Sequence, residues 1–183
     1  ITSLFALLLL SPILITISLF ILITSGRPII YKQERVGKNN KKFIMYKFRT
    51  LEKNAEKKSG PIYINNIHSP AYNKSGKFLR ETSLDELPQL INILKGEMSL
   101  VGPRPERPIF VKKLQEEIPN YKLRHTTKGG VTGWAQINGR SFLTLNPKQK
   151  THFDLYYIQN QTFILDIKII LKTISQLFHN EKN

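Results

Sequence analysis

The chain has 183 residues, no cysteine and a formal net charge of +15. Its length suits a domain with a core of its own. The absence of cysteine excludes disulfide bonds and thiolate metal sites, and it is typical of a protein that faces a reducing compartment. A basic excess of this size indicates a nucleic acid, an anionic membrane surface or an anionic small substrate as the partner.

The N-terminal segment is apolar. Residues 4–23 carry no charge, and Arg27 is the only charged side chain among the first 30 residues. As a straight helix this segment would be about 30 Å long, which is enough to cross a bilayer. Pro12 lies near its middle, where it removes one backbone hydrogen bond and bends the helix. The residues therefore leave two topologies open: a kinked transmembrane helix, and a re-entrant helix that enters and leaves by the same face.

The segments that follow have mixed periodicity. Apolar runs on either side of a turn at 37–40 predict a β-hairpin over residues 29–51. Residues 52–75 are polar and interrupted by prolines, which predicts a mobile loop. Further along, the pattern predicts short helices at 110–117 and 148–157, a glycine-rich loop at 128–140, and an amphipathic helix at 163–178. The apolar face of that last helix would pack either in the core or on a membrane surface.

Residues 82–105 contain the strongest candidates for functional residues. Ser83 and Glu86 have the spacing of a capping box, so we predict a helix that begins at Ser83 and ends at Gly96. Asp85 and Glu86 would lie in its first turn, where unpaired N–H groups and the helix dipole stabilise negative charge. Acidic residues in a first turn are also ordinary helix capping, so these two carboxylates alone do not establish a site.

An arginine in a rigid turn follows that helix. Pro103 and Pro105 fix the backbone on either side of Arg104, which holds its guanidinium in place. A planar fork of N–H donors matches a phosphate, although a simple surface turn is the alternative for Arg104 alone. A carboxylate pair followed by a fixed arginine suits chemistry on a metal-bound phosphate. The sequence has neither a P-loop nor a G-x-G-x-x-G motif, which excludes those two nucleotide sites.

This block and five further motifs together resemble one family, the bacterial sugar transferases. These are monotopic polyprenyl-phosphate sugar-1-phosphate transferases, also called phosphoglycosyl transferases. The further motifs lie at residues 31–37, 46–50, 76–80, 132–140 and 154–157. The resemblance covers nearly the whole chain.

The resemblance implies a fold, a location and a reaction. The expected fold is α+β and mostly helical, with a re-entrant membrane helix at residues 1–26, a small β-hairpin and amphipathic helices at the membrane surface. Residues 27–183 would form a catalytic domain on the cytoplasmic face of the bacterial inner membrane. The implied enzyme transfers a sugar-1-phosphate from a UDP-sugar to a polyprenyl phosphate (undecaprenyl phosphate) and releases UMP. This reaction would initiate glycoconjugate or exopolysaccharide synthesis.

Roles for individual residues also follow from the resemblance. Asp85 would be the nucleophile that carries a covalent phosphosugar, and Glu86 would act beside it as a ligand of a Mg²⁺ cofactor. Five residues would contact the substrate phosphates: Arg104, Arg80, Lys47, Arg49 and Gln136. The expected partners are the UDP-sugar, the polyprenyl phosphate and membrane lipid, without nucleic acid, and a homodimer is left open.

Two departures from the family pattern keep alternatives open. Lys128-Gly129-Gly130 stands where the family has a proline before the glycine, which predicts a looser loop. Ala71 stands where the family has an arginine. An inactive or regulatory relative is one alternative, and a membrane-tethered basic binding module, argued from charge alone, is another. Residues 105–108 resemble those of galactose and glucose transferases, but the sequence does not specify the sugar. We predict structural or surface roles for the histidines and core packing for Trp134.

Overall fold

The computed structural model describes residues 2–53, 55, 72–139 and 146–178. The chain divides into two compact units. The first unit comprises residues 1–32 and 46–94, and the second comprises residues 33–45 and 95–183. The division predicted from the sequence, into a membrane segment at 1–26 and a catalytic domain at 27–183, stays a prediction. Most of the loop predicted at 52–75 lies outside the described residues, as does Ala71.

The described residues are mostly helical, with two small sheets and an apolar N-terminal helix, and this part of the predicted fold class is confirmed. The helices are α1 (Thr2–Ser25), α2 (Gly76–Glu81), α3 (Leu90–Leu94), α4 (Pro108–Glu117), α5 (Trp134–Ile137), α6 (Pro147–Gln159) and α7 (Phe163–Phe178). The strands are β1 (Ile30–Val36), β2 (Lys42–Phe48), β3 (Met98–Val101) and β4 (Gly129–Thr132). Short 3₁₀ segments occur at Lys38–Asn40, Leu84–Gln89 and Tyr121–His125.

Helix α1 continues through Pro12. A proline in a helix interior leaves the carbonyl four residues earlier without its backbone donor. Here that carbonyl belongs to Leu8, and the hydroxyl of Ser11 donates to it at 2.7 Å. This substitute hydrogen bond explains how the helix passes the proline. By length and composition residues 8–25 could cross a membrane, with a mean hydropathy of 2.4 and 11% of the segment buried.

The core of the first unit forms where α1 meets the hairpin and α2. Ile17 and Ile21 of α1 pack in one buried cluster with Phe48 of β2 and Leu79 of α2. Other side chains of α1, such as Leu19 and Ile23, remain exposed. The helix therefore has one face committed to the protein and a broad apolar surface that no described residue of the chain covers.

The hairpin predicted from local pattern is confirmed. Strands β1 and β2 pair in a two-stranded sheet. Asn39 and Asn40, in the connection, adopt left-handed backbone angles with φ of 55° and 57°. Asparagine tolerates that conformation better than most residues, so the sequence suits the turn.

The glycine-rich loop predicted at 128–140 is wrong. Residues 129–132 form strand β4, which pairs in parallel with β3 and places Gly130 opposite Ser99. The glycines allow the backbones to approach: a Cβ on Gly130 would lie 2.1 Å from the backbone nitrogen of Gly102. Gly129 is similarly close to Pro105, whose Cγ would lie 2.4 Å from an added Cβ. Glycine at these positions therefore permits close strand packing, in a segment where an open loop was expected.

Helix α7 leaves much of its predicted apolar face exposed, and for that face both core packing and membrane docking were left open. The expected apolar face includes Leu171 and Ile174, yet Leu171 is 62% exposed and Ile174 is also exposed. Ile169 is fully buried instead and packs with Val101 and Tyr157. The helix thus has apolar side chains on two faces, of which the second unit covers one. Spacing alone could not decide which face would be covered, because both have helical periodicity.

Trp134 packs in the same cluster, as predicted. Its ring stacks on that of Tyr156, with centroids 5.4 Å apart and an angle of 25° between the planes. The ammonium of Lys168 lies 5.8 Å from the centre of the indole. The half-buried tryptophan therefore has packing partners on α6 and α7 within the second unit.

Candidate active site

Asp85 and Glu86 lie in the 3₁₀ segment at Leu84–Gln89. The α-helix predicted to begin at Ser83 is wrong in detail, because an α-helix begins only at Leu90. Ser83 adopts left-handed angles (φ 55°, ψ 15°), and its side chain makes no capping hydrogen bond. A capping box needs extended backbone at the first position, so the sequence pattern is present without its geometry. Such backbone strain in a residue other than glycine is typical of functional sites.

The two carboxylates are buried. Asp85 is 3% exposed and Glu86 is 9% exposed. The ammonium of Lys47, at the end of β2, donates to Oε1 of Glu86 at 2.8 Å. A buried carboxylate loses much of its hydration, and a cation at contact distance offsets that loss. The first unit therefore brings together Lys47 and Glu86, two residues that are 39 positions apart in the sequence.

Arg80 and Asp85 both lie near the phenol of Tyr72. Burial raises the pKa of Tyr72 above its ordinary value of 10.0, while Arg80 lowers it and the charge of Asp85 raises it. Arg80 and Asp85 therefore both act electrostatically on Tyr72, with opposite effects on its pKa. Sequence analysis missed Tyr72, which lies in a polar stretch that carried no motif.

The guanidinium of Arg49 binds the C-terminal end of α1. Its Nη2 donates to the carbonyl oxygens of Ser25 and Gly26, the latter at 3.0 Å. Carbonyls at the end of a helix lack donors within the helix, and a cation there also complements the helix dipole. Arg49 is buried, so this is a structural contact. The substrate contact that the sequence suggests for Arg49 stays a prediction.

Arg104 and Gln136 belong to the second unit. Arg104 is half-buried between two buried prolines, in the turn that follows β3. The side-chain amide of Gln136 donates from Nε2 to the carbonyl of Val131 at 2.9 Å, which fixes its orientation. The predicted site residues are thus distributed over both units, and their roles toward a substrate stay predictions.

A buried ion pair lies next to the turn of Arg104. The guanidinium of Arg124 donates to Oδ2 of Asp154 from Nη2 at 2.6 Å and from Nε at 3.1 Å. Both side chains are 2% exposed. Nearby, Glu106 is a buried carboxylate that contacts Lys150 and Arg35. None of these residues received a role from the sequence, although Arg35 and Asp154 lie within the motifs at 31–37 and 154–157.

The donor set around Asp85 fits a magnesium ion that also binds a substrate. Within the described ranges, no group of three or more histidine, cysteine or acidic residues could hold a metal by itself. Mg²⁺ in phosphate-handling sites takes one or two carboxylates and completes its shell with phosphate oxygens and water. Asp85 and Glu86 supply two carboxylates, and a carboxylate that accepts one bond from Lys47 keeps further lone pairs.

Comparison with protein families gives the class of the chain. The family model described as "Bacterial sugar transferase" matches residues 1–180. The chain belongs to the bacterial sugar transferase family. The family and the transferase class predicted from the motifs are thereby confirmed.

Relatives with assigned names are similar over most of this chain. A protein of Escherichia coli (strain K12) named UDP-glucose:undecaprenyl-phosphate glucose-1-phosphate transferase is 42% identical over 178 residues, which is 96% of this chain and 38% of that protein. A protein of Aeromonas hydrophila named UDP-N-acetylgalactosamine-undecaprenyl-phosphate N-acetylgalactosaminephosphotransferase is 38% identical over 171 residues, 90% of this chain and 38% of that protein. The exopolysaccharide production protein PSS of Rhizobium leguminosarum bv. phaseoli is 38% identical over 180 residues, 94% of this chain and 89% of that protein. The chain thus spans little more than a third of the first two relatives and most of the third.

His125 is buried beside the Arg124 ion pair. It is 5% exposed, and neither ring nitrogen has a hydrogen-bond partner among the described residues. Burial, and then the charge of Arg124, lower its pKa from 6.5 to about 4. The ring of Tyr121 packs edge-on against it, with centroids 5.9 Å apart. The histidine is therefore neutral at pH 7 and structural, as predicted.

We expect His125 to make the protein lose stability between pH 6.5 and 4. The unfolded chain takes up a proton on this imidazole below pH 6.5, whereas the folded protein keeps it neutral down to about pH 4. Acid therefore favours the unfolded chain, by on the order of 3 kcal/mol at pH 4. His125→Phe should flatten this part of the curve of melting temperature against pH, measured in detergent.

An exposed histidine provides the control for that measurement. His152 is exposed on α6, so His152→Phe should keep the wild-type curve. If the His125→Phe protein lost melting temperature as steeply as the wild type between pH 6.5 and 4, the proposed cause would be wrong.

Proposed function

We propose that the chain transfers a sugar-1-phosphate from a UDP-sugar to a polyprenyl phosphate, such as undecaprenyl phosphate, and releases UMP. The observation that carries this proposal is the buried Asp85–Glu86 pair, with Lys47 in contact with Glu86, in a chain of the bacterial sugar transferase family. The names of the relatives support the reaction class, since several specify transfer of a sugar phosphate to undecaprenyl phosphate. Those names differ in the sugar, so the sugar of this chain is not assigned.

In the first step, an oxygen of the Asp85 carboxylate attacks the phosphorus that bears the sugar. The bond from this phosphorus to the bridging oxygen breaks, and UMP leaves with the electron pair. The phosphosugar remains on Asp85 as an acyl phosphate. An anion here attacks an anion, so cations must reduce the repulsion, and Lys47 and Arg80 are the residues of the first unit to which we assign that role. For Arg104 we propose contact with a substrate phosphate, as the motif that contains it implies.

In the second step, an oxygen of the polyprenyl phosphate attacks the same phosphorus. The bond between phosphorus and Asp85 breaks, which regenerates the carboxylate and yields a polyprenyl diphosphate sugar. Splitting the transfer into two displacements lets a soluble donor and a lipid acceptor react one after the other at a single carboxylate. We also propose that this reaction initiates glycoconjugate or exopolysaccharide synthesis, which the name of the PSS relative supports.

Mg²⁺ fits this site as a cofactor, with Glu86 as the ligand we propose. When bound, the ion would neutralise the diphosphate of the donor and stabilise charge on the leaving UMP. The part of the protein in this arrangement is to hold Glu86 in a buried position beside Asp85 and to keep Lys47 against it.

A lipid acceptor requires a site at a membrane, and we propose that the chain lies at the cytoplasmic face of the inner membrane. In the first unit α1 exposes apolar side chains, among them Leu19 and Ile23. In the second unit α7 exposes Ile164 and Leu171. Such surfaces gain free energy in the acyl region of a bilayer, and the basic residues beside them are attracted to anionic lipid. We further propose that α1 is re-entrant; a homodimer stays an expectation.

The role of nucleophile that we propose for Asp85 predicts that the donor substrate alone labels the protein covalently. Mixed with a UDP-sugar carrying radiolabel in the sugar phosphate, and without lipid acceptor, the protein should acquire label at Asp85 and release UMP. Asp85→Asn should abolish labelling and turnover, because an amide is a poor nucleophile toward phosphorus. Peptide mapping of the trapped protein gives the position, and steady-state kinetics should follow a ping-pong pattern.

The matched control is Glu81→Gln. Glu81 lies in the same unit on α2 but is exposed, so its variant should label and turn over like the wild type. Normal turnover by Asp85→Asn, without label at residue 85 in the wild type, would show that Asp85 only stabilises the start of the 3₁₀ segment.

The proposed metal site predicts that UMP release requires Mg²⁺ and that Glu86 determines how much of the ion is needed. EDTA should abolish UMP release and added Mg²⁺ should restore it. Glu86→Gln should need a higher Mg²⁺ concentration for half-maximal rate, because one carboxylate ligand is lost. Asp85→Asn, in contrast, should stay inactive at every Mg²⁺ concentration. Full activity in excess chelator would contradict the metal role.

Re-entry of α1 predicts that both of its ends face the same side of the membrane. The chain has no cysteine, so Ser3→Cys and Arg27→Cys each create a single labelling site. In sealed vesicles both should react with an impermeant maleimide from the same face, and reaction from opposite faces would show a spanning helix. Pro12→Ala should favour the span because it restores the missing backbone hydrogen bond. Ile13→Ala, which changes no backbone group, should keep the wild-type pattern.

A further inference from the structure

The turn that carries Arg104 is held by its carbonyl groups. Four consecutive carbonyl oxygens, those of residues 103–106, each accept a hydrogen bond. Two of the donors are backbone amides: Gly130 donates to Pro103 at 3.0 Å, and Val36 donates to Glu106 at 2.9 Å. All of these residues belong to the second unit.

The other two donors are arginine side chains. Nη2 of Arg124 donates to the carbonyl of Arg104 at 2.9 Å. Nη1 of Arg35 donates to the carbonyl of Pro105 at 3.0 Å. The two guanidinium groups therefore bind the carbonyl of Arg104 itself and that of the next residue.

Each of these arginines is anchored by a buried acidic residue. Arg124 donates to Asp154 from two nitrogens, and its Nη1 also donates to the hydroxyl of Tyr121 at 2.8 Å. Arg35 lies 3.7 Å from the carboxylate of Glu106. The two bonds to Asp154 fix the plane of the Arg124 guanidinium, and a fixed plane presents its N–H groups in a defined direction. The guanidinium of Arg35 also donates from Nη2 to the side-chain oxygen of Gln33.

The prolines explain why the turn needs such donors. Pro103 and Pro105 have no backbone N–H, so half of the residues at 103–106 cannot donate a hydrogen bond that would hold the turn. All four carbonyls, in contrast, can accept hydrogen bonds, and buried carbonyls require donors. Arg35 supplies one donor from β1, next to the residue that pairs with Glu106, and Arg124 supplies another from the 3₁₀ segment at Tyr121–His125.

We infer that Arg35 and Arg124 are positioning residues for Arg104. They would act on the carbonyls at 104 and 105, and in this way keep the Arg104 guanidinium directed at the substrate phosphate. The inference rests on the proposed function, which gives Arg104 that phosphate contact. A purely stabilising role of the two ion pairs is the competing explanation.

The first experiment measures the turn without using activity. Hydrogen exchange of the backbone amides at 104, 106 and 107 should be faster in Arg35→Met than in the wild-type protein. Arg35→Met keeps the apolar stem, and Glu106 retains its contact with Lys150, so the variant should fold. Arg124→Lys should act in the same direction, because one ammonium cannot replace the bonds of the guanidinium.

The matched control is Thr173→Val. In the second unit, Thr173 and Thr132 are joined by a hydrogen bond of 2.6 Å between their side-chain oxygens, which involves neither of the two arginines nor a carbonyl of residues 103–106. Thr173→Val removes a partly buried polar contact at nearly constant volume. Its melting temperature should fall while exchange at 104–107 stays at the wild-type rate. Unchanged exchange in Arg35→Met would overturn the inference.

The second experiment is a double-mutant cycle on sugar-phosphate transfer. Arg35→Met should lower kcat/KM by about tenfold in the wild-type background, because the phosphate contact is misplaced. In an Arg104→Lys background, Arg35→Met should lower kcat/KM by less than about twofold, because the guanidinium that Arg35 positions is already absent. Thr173→Val should have the same effect in both backgrounds.

The outcomes separate this inference from the proposed function. Equal losses from Arg35→Met in both backgrounds would mean that Arg35 only stabilises the fold, and would overturn the inference. A wild-type protein that turns over no UDP-sugar would contradict the proposed function. Hydrogen exchange would then still decide whether the two arginines hold the turn.

Discussion

Three buried carboxylates, those of Glu86, Glu106 and Asp154, each lie against a cation. An unpaired carboxylate in such a position would cost several kcal/mol of folding free energy. The ion pairs therefore connect elements that are distant in sequence. In the first unit, Lys47 at the end of β2 binds Glu86 of the 3₁₀ segment, and in the second unit Asp154 of α6 binds Arg124. In the 3₁₀ segment that carries Asp85 and Glu86, the ion pair acts together with Leu84 and Leu87, which pack against the core of the first unit.

The same contacts weaken the inference of an anionic partner from the net charge. A charge of +15 predicted an anionic partner. Part of the basic excess, however, is used inside the protein, since Lys47, Arg124 and Lys150 bind carboxylates and Arg49 binds the carbonyls at the end of α1. Composition cannot distinguish a cation with an internal partner from one that binds substrate. Family membership, rather than charge, therefore carries the assignment of a phosphate substrate.

Local pattern predicted the parts of the fold that depend on local interactions. The hairpin and helices α4, α6 and α7 follow from periodicity and turn residues, and they are confirmed. The capping box failed because 3₁₀ and α-helical starts share the same residue spacing, and because Ser83 adopts a left-handed backbone. The loop at 128–140 failed because parallel pairing of β3 with β4 joins segments about thirty residues apart. Local sequence pattern also could not predict which face of α7 is buried.

The turn at 103–106 shows the same limit within the candidate site. Two prolines predicted a rigid arginine, and that argument considered only the backbone angles that proline fixes. In the structure the prolines also remove two donors, so four donors from three other segments hold the turn. Spacing could not identify Arg35 or Arg124 as donors, because neither is near the turn in sequence. The rigidity of Arg104 is therefore a property of tertiary contacts in the second unit, and the Pro-Arg-Pro sequence supplies only part of it.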